Sequence, residues 1–267
     1  MKIIILTANE YRHKFFRKYL NNNKNLEVSL TICENNKERQ SYKVLNSKNT
    51  SILQKKHFSD RAKNERVFFK KYINSLKEPN KKLIINRGEI NKNKNLIKKV
   101  IEINPDYIIS YGCGLINNNI IKKFKNKFIN IHLGLSPYYR GSGSNYWPLV
   151  NNEPQLVGVT FMKIDKGIDT GPILHQMRGV IKYKDNVHEI GNRVIFKMTK
   201  ELIKILTTKK KFTFKKKEKK MKLYYKKDFN DQSIMKLKKN FKKGMIKNYL
   251  INKRKIDNKF KIVQFKY

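Results

Sequence analysis

At 267 residues the chain has room for one large domain, or one domain with an appendage. Lys and Arg number 62 against 20 Asp and Glu, a formal charge of +42, yet 39% apolar and 11% aromatic residues exclude a fully disordered basic polymer. The only cysteines, Cys33 and Cys113, exclude a disulfide framework, and no Cys/His spacing resembles a zinc site. Charge of this size points by itself to nucleic acid or an anionic membrane. However, 52 Lys and 32 Asn against two Ala (Ala8 and Ala62) look like the bias of AT-rich coding, so the charge says little about a partner. The longest early apolar run, residues 3–6, is too short for a signal-peptide core or a membrane span. The expectation is a soluble, reduced, cytoplasmic protein.

Residues 2–6 form a β-branched apolar run that predicts a buried parallel strand. Residues 9–20 carry Phe15, Phe16, Tyr19 and Leu20 at helical spacing and stop at three asparagines. A second strand is predicted over 26–32, followed by a polar, aperiodic stretch over 34–58 that reads as an exposed loop. Ser59 is the expected N-cap of a helix through Val67, Phe68, Tyr72 and Ile73, ending at Glu78-Pro79-Asn80. A short strand over 82–86 precedes a helix with Leu96, Val100 and Ile101 on one face, which Asn104-Pro105 stops. Residues 107–110 predict another buried strand and Tyr111-Gly112-Cys113-Gly114 a loop. A helix over 117–124 then leads into a strand over 128–133, and a further strand is expected over 157–164.

Repeated strand–helix–strand units imply an α/β fold, Rossmann-like, with a mostly parallel sheet and helices on both faces. Ligands of such sheets gather beyond the carboxyl ends of the strands. Composition then narrows the search. Residues 128–176 hold three basic and three acidic residues, six of the twelve glycines, four of the six prolines and the only tryptophan, Trp147. Shaped loops on a rigid sheet commonly hold sites, and this neutral block stands out within a +42 chain. Residues 208–267 instead carry 23 basic and 4 acidic residues. Ile234, Leu237, Phe241, Met245 and Tyr249 form an apolar stripe there, so the tail is expected to dock one amphipathic helix on the body. The predicted division is 1–207 as the main domain and 208–267 as a Lys-rich, helical C-terminal extension.

Strand alternation over 128–133 puts Asn130 and His132 on one face. Two polar groups at the exit of a buried strand are costly unless satisfied or used. Downstream, Asp165-Lys166-Gly167-Ile168-Asp169-Thr170-Gly171 predicts a tight turn with two carboxylates. Taken with Pro137-Tyr138-Tyr139-Arg140-Gly141 between them, these motifs resemble the folate-dependent formyltransferases. That family's catalytic domain is shared by methionyl-tRNA, glycinamide ribonucleotide and sugar-nucleotide enzymes, and the loop over 111–116 is also similar. The resemblance covers roughly residues 1–205.

It implies formyl transfer from 10-formyltetrahydrofolate to a primary amine, with no metal. Asn130 is then the donor to the developing oxyanion, His132 a second donor or proton carrier, and Asp169 the group that orients His132 and helps remove the amine proton. By the same resemblance, Leu115, Ile116, Asp165, Lys166 and Gly167 hold the pterin, largely through backbone groups.

Departures from the family pattern bear on the acceptor. Leu133 and Gly134 stand where a proline and a serine are usual, so the local loop is expected to bend differently. Thr7-Ala8-Asn9-Glu10-Tyr11-Arg12 lacks glycine and inserts a carboxylate at a helix start, a poor phosphate cradle. This counts against a phosphoribosylglycinamide acceptor. The tail is too short for the barrel usual in methionyl-tRNA enzymes, which leaves a small-molecule amine such as an amino-sugar nucleotide as the expected acceptor. The alternative is aminoacylated tRNA gripped by the basic tail, and a third reading is a non-catalytic RNA-binding protein. Residues 142–147 offer hydroxyls and the aromatics Tyr146 and Trp147 either to a sugar or to the core.

Overall fold

The computed structural model describes residues 1–216 and 221–266, so residues 217–220 and 267 of the predicted extension lie outside it. Among the described residues, one seven-stranded sheet organises the molecule. It comprises β1 (Lys2–Thr7), β2 (Glu27–Glu34), β3 (Lys82–Ile85), β4 (Tyr107–Tyr111), β5 (Phe128–His132), β7 (Gly158–Met162) and β8 (Ile173–Arg178), in the order β3-β2-β1-β4-β5-β7-β8. Strands β1 to β5 are mutually parallel, and β7 runs antiparallel between β5 and β8. The remaining short strands, β6 (Arg140–Gly141) and β9 (Leu223–Tyr224), pair with each other.

Alternation on β1 explains the two-sided core. Ile3 and Ile5 enter the larger apolar cluster, whereas Ile4 and Leu6 enter the smaller one on the other face. Helices α1 (Tyr11–Asn21), α3 (Ile52–Ser75) and α7 (Val187–Thr207) pack together on the side of the larger cluster. Helices α4 (Lys94–Ile103) and α5 (Asn118–Lys123) supply Leu96, Val100 and Ile120 to the smaller one. Capping is well specified by sequence. Asn93 accepts from the Leu96 amide at 2.9 Å and Asn117 from the Ile120 amide at 3.0 Å, while Asn186 and Glu189 form a capping box on α7.

Two expectations require correction. The stretch over 34–58 is not a loop throughout: it contains α2 (Gln40–Asn46) and the first turns of α3. Ser59 lies inside α3, and the N-cap is Ser51, whose hydroxyl accepts from the Gln54 amide at 3.2 Å. The reason is compositional. Helix α3 buries only Phe58, Glu65, Phe69 and Ile73 over 24 residues, so its opening turns show no apolar stripe.

The tail also differs, with three α-helices among its described residues in place of one: α8 (Asp231–Lys242), α9 (Met245–Ile251) and α10 (Lys253–Asn258). Gly244, in the left-handed region at φ 79°, interrupts the apolar stripe between α8 and α9. Tyr224, Leu237, Met245, Ile246, Tyr249 and Phe265 all belong to the main core, so the extension is packed into the body. No helix among the described residues is long and apolar enough to cross a membrane.

Candidate active site

The parallel strands deliver the motif residues to one region. Asn130 lies opposite Ser110 on β4 and Met162 on β7. The Ser110 hydroxyl donates to Asn130 Oδ1 at 2.9 Å, which orients the amide and leaves Nδ2 as its donor end. His132 closes β5 and is 7% exposed. Its Nδ1 stands 3.1 Å from Asp169 Oδ2, and its Nε2 is 3.0 Å from the Tyr139 carbonyl. A carbonyl can only accept, so this second pairing places a hydrogen on Nε2.

Asp169 belongs to the loop joining β7 to β8 and adopts φ 53°, a left-handed conformation that a short polar side chain tolerates. Its Oδ2 also accepts from the Gly141 amide at 2.8 Å, and its carbonyl accepts from Ser136 Oγ at 3.2 Å. Asp165 is turned inward, where its Oδ1 accepts from the Gly167 amide at 3.0 Å and from Thr170 Oγ1 at 2.7 Å. The two carboxylates of the turn thus have different roles, with Asp165 holding the loop and Asp169 facing the histidine.

The groups that hold this constellation come from far along the chain. Arg140 donates to the Ile168 carbonyl at 3.3 Å and to the Met221 carbonyl at 2.8 Å, tying the Asp169 turn to the tail. The Tyr224 ring stacks on Trp147, with centroids 4.5 Å apart, and on Tyr139, with centroids 5.7 Å apart. Tyr139 in turn bonds Glu153 through its hydroxyl; burial and that carboxylate push its phenol pKa upward and keep it a donor. The aromatic ladder therefore fixes the backbone whose carbonyl meets His132. Trp147 is not a sugar platform. It is buried at the start of the short α6 (Trp147–Val150), its Nε1 donating to the Ser142 carbonyl at 2.9 Å, and Tyr146 bonds Ser233 Oγ at 3.0 Å.

The turn after His132 is secured despite the absent proline. The Gly134 amide donates to the His132 carbonyl at 2.9 Å, and Thr160 Oγ1 donates to the Gly134 carbonyl at 2.6 Å. Thr160 Oγ1 also accepts from the Ser136 amide and from Gln176 Nε2, each at 3.0 Å. A Cβ at Gly134 would stand 2.5 Å from both His132 Nε2 and Ser144 Cβ. Gly134→Ala is therefore expected to displace the imidazole from the Tyr139 carbonyl. It should lower kcat about a hundredfold at a stability cost of about 1–3 kcal/mol, as read by steady-state kinetics and thermal melting.

The residues expected to contact the pterin lie on two loops that share a side of the sheet. Ile116, after β4, and Ile164, after β7, both pack against the smaller apolar cluster. Leu115 is 72% exposed, an apolar side chain standing free beside them. This combination of apolar side chains with the backbone of Asp165, Lys166 and Gly167 suits a flat heteroaromatic ring. Among the described residues, no group of three or more His, Cys, Asp or Glu is placed to hold a metal ion.

The first loop carries the densest buried charge. Glu10 meets Arg39 Nε and Arg61 Nη2, each at 2.9 Å, and also pairs with Arg12. Burial works to raise the Glu10 pKa, but Arg12, Arg61 and Arg39 overcome it and hold the carboxylate well below its usual range. The helix start is thus already supplied with an anion from within the chain.

Ser110, Thr160, Gln176, Tyr139 and Tyr224 were not identified from sequence as site-forming. Period-two spacing on the strand over 107–110 marks Ser110 as a polar break in a buried run, a signal for that one alone. The family model for formyl transferases matches residues 1–206. A methionyl-tRNA formyltransferase of Thermodesulfovibrio yellowstonii is 38% identical over 105 residues, covering 39% of this chain and 33% of the relative. That of Solibacter usitatus is 38% identical over 99 residues, covering 37% and 31%. The alignments span about a third of the length of these curated relatives. Among solved structures, a phosphoribosylglycinamide formyltransferase from Anaplasma phagocytophilum superposes with TM-score 0.53 at 14% identity, over 78% of this chain and 85% of that one. An N-formyltransferase from Helicobacter canadensis, solved with folinic acid and dTDP-3-aminofucose, gives TM-score 0.50 at 20% identity, over 89% and 79%. With the matching model spanning the whole sheet and the catalytic motifs, the chain belongs to the formyl transferase family.

Proposed function

We propose that this protein transfers a formyl group from 10-formyltetrahydrofolate to the primary amine of a small acceptor, an amino-sugar nucleotide, with residues 1–207 as the catalytic unit and 208–267 as an extension that completes it. The single observation that carries the transfer chemistry is the His132–Asp169 pair, closed by the Gly141 amide and lying two residues from Asn130. When bound, the donor supplies an electrophilic formyl carbon. Asn130 Nδ2 donates to the formyl oxygen as negative charge builds there. His132, held by Asp169, would carry the proton taken from the amine to the donor nitrogen that is released as its bond to the formyl carbon breaks. Asp169 presents Oδ1, the oxygen not engaged by His132 and Gly141, to the proton leaving the amine. Leu115 and Ile116 supply apolar contact to the pterin, and the backbone of Asp165, Lys166 and Gly167 its polar partners.

Three features support a small acceptor. Glu10 occupies the α1 start as an anion from within the chain, which disfavours a phosphate at that place. The tail is spent on packing, with six of its apolar side chains inside the main core. The Helicobacter canadensis relative was solved with an amino-sugar nucleotide. A second reading, aminoacylated tRNA, is favoured by the names of the curated relatives. A screen with formyl-labelled donor against amino-sugar nucleotides, glycinamide ribonucleotide and charged initiator tRNA decides. Label on the sugar amine is expected. Label on tRNA alone replaces the acceptor, and label on none of the three overturns the reading.

A further inference from the structure

A second charged feature lies beside the first loop, where four cationic side chains from three segments meet. Arg39 precedes α2 and donates through Nη1 to the Gly112 carbonyl at 2.5 Å. Arg87, after β3, donates through Nη2 to the next carbonyl, that of Cys113, at 3.2 Å. The tail joins them: the Lys226 carbonyl accepts from Gln40 Nε2 at 3.0 Å, and Lys226 Nζ reaches the Glu38 carbonyl at 3.5 Å. Lys43 closes the group through Glu38 at 2.6 Å.

Charge in this region is not balanced. Arg12, Arg39, Arg61, Arg87, Lys43 and Lys226 face the carboxylates Glu10, Glu34, Glu38 and Glu65 among the described residues. Glu34 divides its charge between Arg87 Nη1 at 3.5 Å, the Gly88 amide at 2.8 Å and the Gly114 amide at 2.6 Å, so it only partly offsets Arg87. Burial followed by repulsion from Arg87, Lys43 and Arg39 lowers the Lys226 pKa. Burial, with Arg12, Arg61 and Arg87 opposing Glu10, brings Arg39 to about 10. A surplus of positive charge held at close quarters is stabilised by an incoming dianion.

The place matters as much as the charge. Gly112 follows Tyr111, which pairs with Ile131 on β5, so the cluster is anchored at the level of His132 on the neighbouring strand. We infer that Arg39, Lys43, Arg87 and Lys226 form a binding site for the diphosphate of a nucleotide-linked acceptor, with Lys226 bringing the tail into acceptor recognition. This rests on the small-acceptor reading above. The diphosphate bridges these four groups while the amine-bearing end reaches Asp169.

Inorganic pyrophosphate is the probe, titrated calorimetrically into the full chain without donor or acceptor, so the result does not depend on turnover. Wild-type protein is expected to bind it. Lys226→Glu and Lys43→Glu, both at exposed positions, are each expected to weaken binding about tenfold with unchanged thermal melts. Glu38→Gln should tighten it, because it removes a competing carboxylate. Failure of wild type to bind, or wild-type affinity in both charge-reversed variants, overturns the site. Mutual exclusion of pyrophosphate and folinic acid would assign the cluster to folate carboxylates and also overturns it. So would charged tRNA binding at this cluster with a steep salt dependence, the mark of many phosphates in place of two. If pyrophosphate binds as expected while the acceptor screen finds no sugar nucleotide, the anion site stands and only the acceptor reading falls.

Discussion

His132→Ala is expected to fold with a melting temperature close to wild type and to lose about 10²- to 10⁴-fold in kcat. The imidazole is small, sits at the end of β5, and is bonded to one carboxylate and one carbonyl, so its removal leaves the apolar core untouched. Asp169→Asn should reproduce most of that loss. Asparagine tolerates the left-handed backbone at φ 53°, so the turn survives while the charge facing His132 disappears. Both effects belong in kcat more than in the KM for the folate donor, since neither residue is among those proposed to hold the pterin. Wild-type turnover by either variant would sink the assignment.

The second large effect lies in the tail. Tyr224→Ala is expected to cost about 3–5 kcal/mol, because a nearly buried ring between Trp147 and Tyr139 is removed. That is a large fraction of a typical total stability of about 5–15 kcal/mol. Urea unfolding midpoints measure it. Because the stack also holds Tyr139, whose carbonyl meets His132, kcat of the folded fraction should fall as well. Tyr224→Phe separates the two roles: it keeps the stack and loses only the bond from Asn151 Nδ2 at 2.9 Å, about 1 kcal/mol. Near-normal kcat is expected for it. Removing residues 208–267 exposes the core under Leu237, Met245, Ile246 and Tyr249, so the shortened chain should be recovered insoluble. A soluble, active 1–207 fragment would refute the positioning role of Tyr224.

Much of the scaffold was legible from local pattern. Apolar runs at 2–6 and 107–110 became β1 and β4, Asn104-Pro105 ended α4, and the family resemblance grouped Asn130, His132 and Asp169, of which the last two are in direct contact. Helix α3 was misjudged at its start because Lys and Asn cover its exposed face and only four of its residues are buried. Tyr146 and Trp147 were ambiguous for a related reason, since an aromatic beside glycines suits a sugar site and a core equally well. Only the stack with Tyr224 and the bond to Ser233 decide for the core.

The sequence by itself determined the α/β class, because repeated strand–helix–strand units show in local apolar periodicity, and it placed Asn130 and His132 on one face of one strand; their roles with Asp169 came from the family resemblance. The tertiary structure alone decided what the basic tail does. Its lysines give a uniform compositional signal, but packing distinguishes those at the surface from the few backbone and aromatic groups that touch the site. Tyr224 beside Tyr139, Met221 under Arg140 and Lys226 beside Gln40 are contacts between distant segments. Their stability comes from burial and hydrogen bonds formed only when the chain closes on itself, and no local periodicity encodes them.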